Sequence, residues 1–574
     1  MPQTTVDLII INAQIYNSFS KKFIKNNLVV KQGKVLYIGQ NIQEFTSSQI
    51  VDAQNNYLIP GLIDIHMHIE STMATPQAFA HELARHGVTT IVSEPHEIAN
   101  VFGRIGVESM LAASENAPID IFFGVPSSVP STNGDLESTG GEISLEDLQI
   151  LLKQPQVVCL GEIMNYIDVI YREQSKTLDL INYTKANYPY LAIEGHCPRI
   201  GDVELAKMLF AGVHSDHTQQ TVAGLIDRFL QGMFVEIQSK SLKADIIACI
   251  QEYQMYERLA LVTDDIMADE FVSKGQLDKN LRKLIQLGIK PELAIYLATY
   301  TPALHIGWRD RGCLAAGKIA DFFITDNLTE LPILATYKNG KKIYDNTQEY
   351  IFSAKNLNFP AHFYQSVHCH PLTAQQLQIP VKTTAASVRC NVFELVADAT
   401  FTQAKQADIP VKDGLLNWQA SAYALALVLE RHGRGQLQPA LALVGGVCLQ
   451  SGAIATTYAH DHHNLLAIGR NIPDLLFAVN RVIAQQGAYL AVLNETVLAE
   501  VPLPIAGILS PLSMPELALE VRALKQAFAQ LGYAHKNPLM SLSTISLPVS
   551  PELKLTDKGL IEVKSQTILP LIVE

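Results

Sequence analysis

Short apolar runs alternate with helix-like stretches from about Leu58 to Arg311. The runs are Leu62–Ile65, Thr89–Ser93, Ile119–Val125, Val157–Glu162, Tyr190–Gly195, Ala211–His214, Met233–Ile237 and Leu259–Thr263. Each has the length and apolar character of a strand buried on both faces. Most are followed by a segment long enough for a helix. Eight such pairs are the count of a (β/α)8 barrel.

The catalytic groups of such barrels sit at the C-terminal ends of the strands. Here the first run ends in His66-Met-His68. Alternate residues of a strand share a face, so both imidazoles leave from one side and form half of a metal site. Glu94-Pro-His96-Glu97 ends the second run and Gly161-Glu162 the fourth. Glu194-Gly-His196 ends the fifth, His214-Ser-Asp-His217 the sixth and Thr263-Asp264-Asp265 the eighth. A random scatter of the chain's 17 histidines would not gather so consistently at these ends.

His66, His68, Glu162, His196, His217 and Asp264 are therefore the expected metal ligands. Four imidazoles and two carboxylates suffice for two divalent cations that share a carboxylate. Two metals roughly 3.5–4 Å apart lower the pKa of a shared water, and Asp264 can bind metal and accept that water's proton. Nitrogen and oxygen donors without thiolate suit manganese, iron(II) or zinc. Asp64, Glu194, Asp216 and Asp265 are near enough in sequence to support the ligand imidazoles from behind. His214 is a rival to His217, but on a continuous strand the two would point to opposite sides.

The other segments read as follows. Asp7–Asn12, Asn27–Lys31 and Lys34–Gly39 alternate like short antiparallel strands and are too small a unit to stand alone. They are expected to pair with Ala320–Thr325 and Ile333–Tyr344 in a small β-sandwich of residues 1–58 with 312–350, flanking a barrel of residues 59–311. Residues 351–382 read as a linker or covering segment in which His362, His368 and His370 are loop residues. Residues 383–574 form an α+β domain with strands at Arg389–Leu395 and Ala488–Leu493 and helices at Ala420–Arg431, Pro473–Gln486 and Pro515–Gly532.

Hydrophobic residues make up 48% of the 574 and charged ones 17%, which fits a folded chain with a large core. The formal charge of −13 is opposite to that of a nucleic-acid binder. Seven scattered cysteines without a Cys-x-x-Cys pair, no signal peptide and no spanning segment point to the cytoplasm and away from membranes.

Pro60-Gly-Leu-Ile-Asp-Ile-His66-x-His68 resembles the amidohydrolase superfamily. His66–Ser71, Glu94–Val101, Gly161–Asn165, Ser215–His217, Val262–Asp265, Gly312–Asp321, His460–Asn464, Pro502–Gly507 and Pro551–Asp557 together resemble the bacterial adenine deaminases. The resemblance implies hydrolytic deamination of adenine to hypoxanthine and ammonia, a purine-salvage reaction, with a metal-held hydroxide attacking ring C6. It implies a binuclear centre, of manganese before iron(II) or zinc. His66 and His68 would hold one ion, His196 and His217 the other, with Glu162 bridging and Asp264 binding metal and shuttling a proton. It also implies a homo-oligomer, a dimer or larger.

Glu70, His96 and Glu97 are assigned to substrate contact or proton transfer, although Glu97 could instead cap a helix from Ile98. Asp265 joins the substrate contacts, and His460 and His463 would close the site from the C-terminal domain. Four departures from the family pattern, Glu94, Thr218, Gln276 and His462, fall outside the six ligands and bear on substrate contacts or the groups behind the ligands, and so on substrate and rate more than on the metal centre. Two alternatives stay open. One is an amidohydrolase acting on a cyclic amide or N-acyl substrate, for which Arg199 would pair a carboxylate. The other is a catalytically silent metal-binding relative.

Overall fold

The computed structural model describes residues 3–348, 357, 359–435 and 437–573. Its centre is a ring of parallel strands: β1 (Leu62–Met67), β2 (Val88–Ser93), β3 (Asp120–Val125), β4 (Val157–Ile163), β5 (Ala192–Gly195), β6 (Ser215–Asp216), β7 (Phe234–Ile237) and β8 (Leu259–Leu261). Strands β1 to β5 pair in order, as do β6 to β8. Two seams close the ring. Asp264 N donates to His66 O at 3.1 Å, and His214 N donates to Ile193 O at 2.8 Å.

Side chains alternate between two cores, as the pleat requires. Val92, Cys159, Phe234, Ala260 and Val262 pack in one cluster with Ile63 and Ile65. Their neighbours Ile91, Leu160, Val235, Leu259 and Leu261 belong to the larger core shared with the surrounding helices. Those helices include α1 (Pro76–Arg85), α2 (His96–Ala113) and α3 (Leu277–Gln286).

One strand differs from expectation. The sixth run, read as Ala211–His214, is the end of a helix that Gly212 caps at φ +120°, and the strand lies one step later at Ser215–Asp216. Its apolar Ala-Gly-Val is a helix exit, whereas the two residues that pair are polar.

The flanking piece is one mixed eight-stranded sheet. Leu8–Asn17 lies near its middle, and Tyr57–Pro60 links it to Phe322–Thr325, Ala335–Lys338 and Lys341–Asp345. The strands before and after the barrel therefore share one core, which includes Leu8, Ile10, Leu28, Val30, Phe322 and Tyr337. The expected junction at 350/351 lies outside the described residues.

The C-terminal part carries a nine-stranded sheet covered by α4 (Ile472–Ala484), with α5 (Met514–Gln530) beside it. The helix expected at Ala420–Arg431 is instead a strand, Ala424–Leu429, paired on both sides and buried along its length. Its Ala- and Leu-rich sequence favours helix in isolation, but burial between two neighbouring strands overrides that preference. His362, His368 and His370 are exposed. Among the described residues no helix is long and apolar enough to cross a membrane.

The C-terminal part docks on the end of the barrel where the strands' C-termini lie. Ser510 N donates to Met73 O at 2.7 Å, and Thr556 Oγ1 to Leu136 O at 2.6 Å. Asn464 Nδ2 donates to Ser138 O at 2.9 Å, and Lys525 Nζ pairs with Asp269 at 2.7 Å.

Candidate functional site

The strand ends deliver the expected donors to one place. Glu162, at the end of β4, is the hub. Its Oε2 lies 2.8 Å from His196 Nδ1 and 3.2 Å from His217 Nε2, and its Oε1 lies 3.5 Å from His68 Nε2. Asp264 Oδ1 stands 3.6 Å from His68 Nε2 and 3.9 Å from His66 Nε2. The rings of His66 and His217 stack with centroids 3.7 Å apart. His66, His68 and Asp264 bring one donor atom each within 4.8 Å of one another, as do His66, Glu162 and His217.

This donor set fits divalent cations. His66 Nε2 and His217 Nδ1 are buried without a hydrogen-bond partner among the described residues. Burial alone would raise Glu162, but His217 and His196 override it and hold its carboxyl well below the usual range. Burial likewise opposes ionisation of Asp264, yet the Lys240 ammonium, 3.5 Å away, and the neighbouring imidazoles keep it low. Burial and the facing His217 push His66 down to about 3, leaving a neutral imidazole with a free lone pair. Against burial, the carboxylates act in the other direction on His68, which Asp264 and Glu162 lift well above the usual imidazole range, and on His217, which Glu162 lifts; a divalent cation would take the place of those protons.

The supporting residues differ from those expected. His68 Nδ1 contacts the backbone carbonyl of Glu94 at 3.0 Å, which directs Nε2 inward. Asp64 accepts from Gln276 Nε2 at 2.6 Å and from Thr263 Oγ1 at 2.5 Å. Asp216 binds Arg228, Thr218 and Gln220. Glu194 binds Ser215 and His305, and Asp265 accepts from Ser71. These four carboxylates hydrogen-bond to the segments that carry the candidate ligands, and none forms a hydrogen bond or ion pair with a candidate ligand imidazole among the described residues.

The departures fall into this supporting layer. Glu94 Oε2 accepts from Glu162 N at 2.6 Å. Gly161 permits that approach, since a Cβ there would stand 2.5 Å from the Glu94 carboxylate. Gln276 and Thr218 hydrogen-bond to Asp64 and Asp216, and His462 Nδ1 accepts from Asn464 N at 3.0 Å.

Of the remaining expected residues, Glu70 is fully buried, with neither oxygen partnered among the described residues. Burial pushes its carboxyl up to about 8. His96 opens α2 and lies against the centre, with Nδ1 3.9 Å from Glu162 Oε1. Glu97, in the first turn of α2, contacts both His460 and His463. The side chain of His196 is 33% exposed, and the exposed Lys240 stands beside Asp264, so the ligand cluster meets solvent on this side.

Two rivals lie elsewhere. His214 lines a cleft of ≈ 380 Å³ with Ala192, Phe234 and Arg258, at the N-terminal ends of the strands. Arg199 is exposed and lies over the Phe401 ring, with its guanidinium carbon 5.6 Å from the centroid. Sequence reasoning missed two groups at the site, Lys240 and Asp461. Lys240 sits in a single helical turn after β7, where nothing in the local pattern marks it.

Residues 57–348 match the model of the Amidohydrolase family, and residues 399–567 that of the Adenine deaminase C-terminal domain. The chain is 43% identical over 573 residues to the adenine deaminase of Clostridium perfringens, covering 99% of each. It is 42% identical over 570 residues to adenine deaminase 2 of Shouchella clausii, again with 99% of each covered. With the adenine deaminase of Lactobacillus delbrueckii subsp. bulgaricus it shares 39% over 573 residues, 99% of each. A match that runs from the flanking sheet through the barrel to the last strands is a match of the whole architecture, and the chain belongs to the amidohydrolase family and, within it, to the adenine deaminases.

Proposed function

We infer that this protein hydrolyses adenine to hypoxanthine and ammonia. The observation that carries this reading is the convergence of His66, His68, His196 and His217 on Glu162 and Asp264, in a chain that aligns with adenine deaminases over 99% of its length. The family implies a divalent metal. We propose two ions, one held by His66 and His68 and one by His196 and His217, with Glu162 between them and Asp264 as a further ligand. When bound, they supply Lewis acidity and lower the pKa of the attacking water.

The chain's own residues do the rest. Asp264 is held ionised, so it can take a proton from the water as the oxygen bonds to C6. It returns that proton to the ring nitrogen beside C6. The second proton, from the new C6 hydroxyl, passes to the exocyclic amine, the C6–N bond breaks and ammonia leaves as C6=O forms, so adenine and water give hypoxanthine and ammonia. Glu70, His96 and Asp265 are proposed to contact the purine and move its protons. Glu97, His460 and His463 are proposed to form the wall that sets the position of His96.

We further propose manganese as the metal, with iron(II) or zinc as substitutes, and action in the cytoplasm, where the seven unpaired cysteines stay reduced. A homo-oligomer is supported by exposed apolar side chains on the outer helices, Phe210 at 91% and Leu230 at 71%.

The test is ammonia release and the ultraviolet change from adenine to hypoxanthine by the manganese-loaded protein. Turnover should be abolished by chelation and restored by manganese more fully than by zinc. Ions bound at the two-metal centre, released by Glu162→Gln, without any turnover of adenine would reject the substrate.

A further inference from the structure

Behind the metal ligands, where the barrel meets the C-terminal part, a second group of donors converges. His96 and Glu97 come from the first turn of α2, and His460 and Asp461 from the turn that precedes the strand Leu465–Gly469. His460 Nδ1 lies 2.6 Å from Glu97 Oε1 and 3.3 Å from Asp461 Oδ1. His96 Nε2 lies 3.6 Å from Glu97 Oε1 and 4.0 Å from Asp461 Oδ1. One donor atom from each of the four stands within 4.8 Å of all the others. Ligands about 2.1 Å from a tetrahedral ion stand about 3.4 Å apart, which falls inside this range.

Several buried donor atoms of the cluster lack a well-aligned hydrogen-bond partner among the described residues. Glu97 Oε1 accepts no hydrogen bond among the described residues, although His460 Nδ1 is 2.6 Å away. The two atoms are close but are not aimed at each other, as two ligands of one ion would be. Asp461 Oδ2 is also buried without a partner. His96, Glu97, His460 and Asp461 are 5%, 0%, 4% and 2% exposed, so two carboxylates and two imidazoles are enclosed together, where a cation would offset the carboxylate charge.

The support behind Glu97 has the form found around metal ligands. Ala459 N donates to His463 Nδ1 at 3.2 Å, which leaves the proton on Nε2, and Nε2 donates to Glu97 Oε2. One oxygen of Glu97 is thereby fixed and the other faces the cluster.

We propose that His96, Glu97, His460 and Asp461 form a third divalent-cation site, separate from the two-metal centre, which joins the C-terminal part to the barrel. Its two imidazoles and two carboxylates, without thiolate, suit zinc or manganese. Because His96 Nε2 faces this site while its Nδ1 faces Glu162, an ion here also fixes the ring that lines the active centre. The proposal concerns the number and position of bound ions and does not depend on the substrate.

The test is metal content per chain of full-length protein loaded with zinc and dialysed. Asp461→Asn should hold one ion fewer than the wild type, and His460→Gln should show the same loss in a second background. His462→Ala, beside the site but outside its donor set, should keep the wild-type count. Asp264→Asn, altered only at the two-metal centre, should still lose one further ion when combined with Asp461→Asn. A folded Asp461→Asn or His460→Gln variant with the wild-type count would overturn the site. If adenine is not turned over but the one-ion difference persists, the third site stands and the reading of the substrate falls.

Discussion

Glu162 lies within 3.5 Å of three of the four proposed ligand histidines, so its charge reaches much of the proposed centre. Glu162→Gln keeps the shape and removes the charge. It is expected to release both ions and abolish adenine turnover. Asp264→Asn should keep most of the metal while turnover falls by about 10²–10⁴, the range for losing a positioned acid–base group. Metal content and ammonia release on the same preparations check the pair. Equal loss of metal in the two variants would mean that Asp264 is a ligand first and a proton carrier second. Gln276 makes a different kind of contribution. Its Nε2 bridges Asp64 Oδ2 and Thr263 Oγ1 at 2.6 and 2.7 Å, below the strand that carries His66. Burial lifts Asp64 to about 7, even with these bonds. Gln276→Leu should therefore cost about 1–3 kcal/mol, read from the denaturation midpoint, because it strips a donor from a buried carboxyl. Five of the six proposed ligands were legible because each stands at or just after the end of an apolar run, and strand ends converge in a barrel. His217 follows the polar pair Ser215–Asp216, so its own run gave no such signal. Asp461 was not legible. It sits in a turn whose partner, α2, lies more than three hundred residues earlier, and no local pattern reports such a pairing.

At the level of elements, period and flanking residues located seven of the eight barrel strands. They failed where composition argued against context. Ala211-Gly-Val213 is apolar and ends a helix, while Ala424–Leu429 looks helical and is a central strand. Helices α1 and α3 illustrate packing that sequence alone could not announce. His86 caps the C-terminus of α1 and its Nδ1 lies 3.1 Å from Asp278 Oδ2, in the first turn of α3. Each charge sits at the helix end that favours it. Burial alone would lower His86, but the Asp278 carboxylate overrides it and lifts the imidazole to about 9. A pKa raised on folding stabilises fully below the unfolded value of about 6.5, and that contribution is lost as pH rises through about 9. The shift corresponds to about 3 kcal/mol. His86→Asn should thus melt well below the wild type at pH 6, with the gap closing by pH 10. A gap independent of pH would assign the difference to packing.

Across the whole molecule, the barrel carries the proposed ligands and the C-terminal part holds their surroundings in place, and Arg431 shows how. It is fully buried, and burial lowers its guanidinium to about 9. Its side chain donates to His463 O, to Ser366 O at 2.8 Å and to Ala506 O at 2.9 Å. Gly507, at φ +69°, leaves room for it, since a Cβ there would stand 2.9 Å from the guanidinium. Asn464 Oδ1 accepts from Arg431 N at 3.1 Å, and its Nδ2 reaches across to Ser138 O of the barrel. One side chain therefore ties the 366 segment, the 460–464 turn and the 506 turn together behind Glu97. Lysine cannot reproduce this. Its ammonium is a compact point donor, whereas the planar fork reaches acceptors in several directions. Arg431→Lys should destabilise the chain by about 3 kcal/mol, the cost of losing one or two charge-assisted hydrogen bonds in the interior. The fold should survive at low temperature, where the functional effect can be read separately. There kcat/KM for adenine should fall while the ions held by His66, His68, His196 and His217 remain, because those ligands stand on barrel strands that Arg431 does not touch. Unchanged kcat/KM in a variant that melts earlier would mean that the 460–464 turn supports the fold without shaping the active centre.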